Sequence, residues 1–193
     1  MTILDRIDQV TPEELARGVY HLLYAGTADF ATYEKMKDRR LLPILNEIVQ
    51  AGGRPSFAPG DLSKEQADQV TISAAHLLAD VAAPDDEEAI QALMGALDHD
   101  NDRVKLAAAT ALGELDAAGA AGSVVAFTER MVARGEMGAV ARLSRVLARI
   151  GGQEAKACLD AFVAQNRGAE DERVQHVLAE AETAMRTIDQ RLA

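Results

Sequence analysis

Apolar positions recur along this chain at helical spacing, and no segment alternates with the period of two that a half-buried strand requires. Thr11-Pro12-Glu13-Glu14 opens the first clear helix. Thr11 can cap it, Pro12 suits the first turn, and the acids oppose the helix dipole. Leu15, Val19, Leu22 and Leu23 form its apolar face, and Gly26 ends it. A second helix is predicted over about Asp29–Arg40 and a third over Leu42–Gln50, which Pro43 begins or kinks. Gly52 to Asp61 reads as a loop from its Gly and Pro content. Ser63-Lys64-Glu65-Gln66 then has the form of a capping box, with a helix running to about Ala82. Further helices are predicted from Asp85 to near Leu97, and from Asn101 or Asp102 to near Asp116. Gly119 and Gly122, Gly135 and Gly138, Gly151-Gly152 and Gly168 punctuate the remainder.

These helices repeat. Shifting Val104–Leu115 forward by 35 residues sets Ala108 on Leu143, Ala111 on Val146, Leu112 on Leu147 and Leu115 on Ile150. A shift of 70 sets Val104 on Val174, Ala108 on Leu178, Ala111 on Ala181 and Leu115 on Met185. A backward shift of 34 reaches Val70, Ala74, Leu78 and Val81. The preceding helices follow suit, with Ile90, Leu93 and Leu97 meeting Val124, Phe127 and Met131, and Val124 and Phe127 meeting Leu159 and Phe162. A helix pair of this kind cannot bury its own apolar face, so such pairs stack. The Trp and Tyr of tetratricopeptide units and the Thr-Pro-Leu-His of ankyrin units are missing from the repeats.

The stretch Asp98-His99-Asp100-Asn101-Asp102-Arg103-Val104, continuing to Ala111-Leu112-Gly113-Glu114-Leu115, resembles the short HEAT-like repeat named for phycobilisome lyases. In the other repeats the glycine is Ala79, Ala148 or Thr183. The resemblance covers roughly residues 41–191 and implies an all-α chain. The expected architecture is an α-solenoid of about four helical pairs over 41–193, one continuous folded unit, with residues 1–40 as an N-terminal helical cap. As to function, the shape of a stacked-helix array and the absence of catalytic motifs fit a non-enzymatic adaptor or scaffold that binds another protein through its concave face. The alternative, which the resemblance suggests, is a bilin lyase-like accessory subunit acting on a phycobiliprotein-type substrate.

Composition narrows the partners. The net charge is −11, which argues against nucleic acid, whose binders present a basic face. Residues 61–98 alone carry −8. No apolar run approaches a membrane span, and the acidic opening Met1-Thr2-Ile3-Leu4-Asp5 is unlike a signal peptide, so a cytoplasmic protein without membrane partners is expected. Cys158 is the single cysteine; it aligns with Ser123 on a packed helix and is expected to be a small buried filler.

Candidate chemistry is sparse. Asp98, Asp100 and Asp102 have the opening spacing of a calcium loop, but Arg103 and Ala109 stand where that loop needs Gly and Glu. His21, His76, His99 and His176 have no metal-ligand spacing, and no nucleophile motif is present. No cofactor, metal or catalytic residue is therefore expected, and the oligomeric state is open. Arg142, Arg145 and Arg149 make one helical stripe suited to an acidic or phosphorylated segment. With Ile72, His76, Leu106, Thr110 and His176, which occupy equivalent repeat positions, they form the predicted partner-binding row. Five of the seven aromatics lie in the first 57 residues, and Tyr20, Tyr24 and Tyr33 among them form a second candidate surface in the cap. Lys35, Lys37, Arg39 and Arg40 make a short basic run behind them.

Overall fold

The computed structural model describes residues 2–26 and 29–193; Met1, Thr27 and Ala28 lie outside them. Among the described residues there are ten α-helices and no strand. They are α1 (Pro12–Ala25), α2 (Phe30–Met36), α3 (Leu42–Gln50), α4 (Lys64–Val81), α5 (Glu87–Ala96), α6 (Asp102–Glu114), α7 (Ala121–Ala133), α8 (Met137–Ile150), α9 (Gln153–Asn166) and α10 (Glu172–Leu192). Short 3-10 turns occupy Ile3–Arg6, Arg39–Leu41 and Ala118–Ala120.

Local chemistry sets the ends. Thr11 accepts from the Glu14 amide while Glu14 returns to the Thr11 amide, and Ser63 and Gln66 repeat this reciprocal box before α4. Gly26 closes α1 in the left-handed conformation. The second helix is shorter than the predicted Asp29–Arg40. It stops at Met36 because the Asp38 side chain accepts from the Arg40 amide at 2.9 Å and starts a separate 3-10 turn. That turn runs into α3, where Pro43 sits in the first turn as a helix start. Gly135, at φ +71°, makes the three-residue reversal between α7 and α8.

The chain closes as two compact units, residues 1–111 and 112–193, with the division inside α6. In the first, α3 packs on α4 and α5, and α1 packs on α4, α3 and the N-terminal turn. Val19, Leu45, Ile48, Leu77, Leu78 and Leu93 are fully buried. In the second, α7 packs on α8 and α9, and α10 on the same two helices. Phe127, Leu143, Leu147, Leu159 and Phe162 are buried there.

The repeat columns are visible as burial. Ala74, Ala108 and Leu143 are all buried, as are Leu78, Leu112 and Leu147, and Val81, Leu115 and Ile150. The last helix departs from the predicted shift of 70. Its buried residues are Val177, Ala181, Ala184 and Ile188, whereas Val174, Leu178 and Met185 are only half-buried. The core face of α10 therefore lies three residues further along, at a shift of 73 from Val104, Ala108, Ala111 and Leu115. A helix seated against α8 and α9 needs only the narrow stripe at i, i+4, i+7 and i+11.

Candidate functional site

Helix α8 is the most sharply two-faced helix of the second unit. Val140, Leu143, Leu147 and Ile150 face inward, and Arg142, Arg145 and Arg149 stand exposed along the opposite stripe. Two of these arginines reach neighbouring segments. Arg149 donates from Nε to Asp116 Oδ1 at 3.0 Å and from its guanidinium to the Glu114 carbonyl at 3.2 Å. Arg145 Nε lies 3.6 Å from Glu180 Oε2 on α10, and the other oxygen of Glu180 is 4.0 Å from His176 Nε2. The Arg145 and Arg149 side chains remain 63% and 48% exposed, so both pairs compete with water. Arg142 is exposed and makes no ion pair among the described residues. The structure thus joins Arg145, Glu180 and His176 in one row across α8 and α10.

The rest of the predicted row lies in the first unit. Ile72 is half-buried and His76 exposed on α4. Leu106 and Thr110 are half-buried on α6, where the Thr110 hydroxyl donates to the Leu106 carbonyl at 2.8 Å.

The three cap tyrosines do not form one surface. Tyr20 is 2% exposed and belongs to the core, a correction to its reading as a partner-facing residue. Its hydroxyl donates to the Gly53 carbonyl at 2.7 Å, and its ring meets Phe57 edge-on, with centroids 6.1 Å apart. Burial raises its phenol above the ordinary value. Tyr24 is 39% exposed, and its hydroxyl accepts from Gln66 Nε2 at 2.8 Å. Tyr33 instead donates to Asp80 of α4 at 2.8 Å, with Lys37 Nζ 5.2 Å from its ring centroid.

The basic run is occupied by carboxylates. Lys35 pairs with Asp5 at 2.5 Å, Lys37 with Glu34 at 3.0 Å and Asp80 at 3.7 Å, and Arg39 with Asp86 at 3.8 Å. Arg40 pairs with Asp38 at 2.6 Å and also with Asp8. The Lys35 ammonium holds Asp5 below the usual carboxylate range, and Arg40 does the same for Asp38.

The aspartates that suggested a cation loop turn to lysines, Asp100 to Lys64 at 3.5 Å and Asp102 to Lys105 at 3.7 Å. Among the described residues, no group of three or more His, Cys, Asp or Glu is arranged to hold a metal ion. Among the described residues too, no helix is long and apolar enough to cross a membrane. Cys158 is half-buried, and burial, with Glu129 and Glu154 nearby, pushes its thiol up to about 11. Few thiolates exist at neutral pH in such a setting, which disfavours nucleophilic chemistry.

One polar cluster has no signal in the sequence. The buried carboxylate of Asp68 accepts from Asn101 Nδ2 at 2.7 Å and lies 3.6 Å from His99 Nε2. The other ring nitrogen of His99 accepts the Asn101 backbone N–H at 3.0 Å. The cluster ties α4 to the turn before α6, and helical spacing alone cannot find it, because its members lie 33 residues apart.

Comparison with protein-family models, curated proteins and solved structures finds no match to this chain.

Proposed function

We propose that this chain is a non-catalytic adaptor built of HEAT-like helix pairs, and that it docks an acidic segment of another protein on the arginine-bearing face of α8. The observation that supports this reading is the state of the three guanidiniums. Arg142 is unpaired among the described residues, and Arg145 and Arg149 are held by exposed pairs. Exposed pairs of this kind contribute only about 0–1 kcal/mol each, so an incoming carboxylate or phosphate can exchange for Glu180 or Asp116 at little cost. A planar guanidinium also binds such groups through two parallel hydrogen bonds. His176 continues the row on α10. The recurring buried columns of α4, α6 and α8 support the helix-pair reading, since each unit of that kind buries the same positions.

The test sets the tagged full-length chain beside an Arg142→Glu, Arg145→Glu, Arg149→Glu variant in pull-downs from the native cell extract. The substituted positions are exposed, so the variant should unfold within about 1 kcal/mol of the parent. A partner recovered by the parent and lost by the folded variant is the expected result. Recovery of the same partners by both chains would remove α8 from the interaction.

A further inference from the structure

The arginine face of α8 already meets an acid of its own chain. Helix α10 packs on α8 and α9 and buries Val177, Ala181, Ala184 and Ile188. Glu180 stands beside Ala181 on that seated helix, so its backbone position is fixed by the packing. The other acids of α10, Glu172, Glu182 and Asp189, are exposed, whereas Glu180 is half-buried, with 27% of its side chain exposed. The fold therefore delivers one particular carboxylate to Arg145.

How Glu180 meets it is unusual. Its Oε2 lies 3.6 Å from Arg145 Nε, and its Oε1 lies 4.0 Å from His176 Nε2. Both separations exceed the roughly 2.7–3.2 Å of an N–H···O hydrogen bond, so these are charge contacts without a bond. The one hydrogen bond of Arg145 among the described residues is a long one, from Nε to the Ala141 carbonyl at 3.5 Å. Its terminal nitrogens donate none there. Arg149, one turn on, is bonded outright: Asp116 Oδ1 lies 3.0 Å from both Nε and Nη2, and Nη2 also reaches the Glu114 carbonyl at 3.2 Å. Arg145 thus has its charge opposed while its outer donors stay open. An incoming carboxylate that bonds those donors makes bonds that Glu180 does not make. It makes them beside the negative charge of Glu180, which repels it.

We propose, resting on the reading of α8 as a docking face, that Glu180 is a tethered competitor at that face: it opposes Arg145 and so holds the affinity for an acidic segment below what the arginines alone would give. Loss of the Glu180 charge tightens docking, and the gain runs through Arg145.

The experiment titrates capped hexaglutamate into the full chain and follows the backbone amides by NMR. The ionic strength is about 0.1 M, where charges more than about 10 Å apart are largely screened. Glu180→Gln is set beside Glu182→Gln, which removes the same charge from the opposite side of the same helix. Saturable shifts over residues 141–149 are expected in the parent. Glu180→Gln should bind about fivefold tighter, the upper end for an exposed pair, and Glu182→Gln within about twofold of the parent. Adding Glu180→Gln to Arg145→Gln should bring no such gain. The amide spectrum of each variant checks its fold. Equal tightening by the two Gln variants would reduce the effect to net charge, and weaker binding by Glu180→Gln would make Glu180 a support for Arg145; either overturns the proposal. Shifts on α8 that are equal in the parent and Glu180→Gln overturn it too, while leaving the docking face standing. No shift on α8 in any chain would overturn both.

Discussion

Gly53 shows how closely a single position constrains this chain. It has φ +77°, and a Cβ built there would lie 2.1 Å from the carbonyl oxygen of Ala67 in α4. Its own carbonyl receives the Tyr20 hydroxyl, so one residue joins α1, the 51–62 loop and α4. Gly53→Ala combines backbone strain with a backbone clash and should lower the unfolding free energy by about 3 kcal/mol or more. Gly60, seven residues on in the same loop, has open space around its Cα. Gly60→Ala should be neutral or stabilise by up to about 1 kcal/mol. Urea unfolding of the two variants separates them, and equal small effects would show that the close approach at Gly53 relaxes freely. In the sequence both positions read only as loop glycines. What distinguishes them is a neighbour 14 residues away in α4, and tertiary proximity of that kind leaves no local signature. The same reason accounts for Tyr20. Its helix position was legible, but the ring's partners, Phe57 and Gly53, were not.

Elements were better encoded than contacts. The boxes Thr11/Glu14 and Ser63/Gln66 and the first-turn Pro43 place three helix starts where their residue types require them, because caps act within four residues. The end of α2 was misplaced, since Asp38 stops the helix by bonding forward to Arg40 instead of simply lying in its path. The face of α10 was also misplaced. The repeat spacing selects Leu178 and Met185, while packing selects Val177 and Ile188. Periodicity within one helix tolerates either choice, and only the seat offered by α8 and α9 decides. Ile188→Ala should therefore cost about 2–5 kcal/mol, and Met185→Ala about 1 kcal/mol or less. The reverse order in thermal or urea unfolding would restore the spacing-derived register.

At the scale of a whole unit, charge clustered along the chain in residues 35–40 of the first unit is balanced in space. The basic run at 35–40 draws carboxylates from distant sequence, Asp5, Asp8, Asp80 and Asp86, beside the local Glu34 and Asp38, so a cluster that looks exposed on paper is largely neutralised in the fold. The arginine stripe of α8 was legible because one helix supplies all of it. The single cysteine has a practical corollary for following these two units. Cys158 belongs to the second of them, half-buried, with its thiol moved from 9.0 to about 11. At neutral pH that shift leaves less thiolate than an unfolded chain would offer. A thiol reagent therefore reports on one part of this protein alone. It labels α9 in the second unit, and since the first unit holds no sulfhydryl of its own, changes there pass unrecorded.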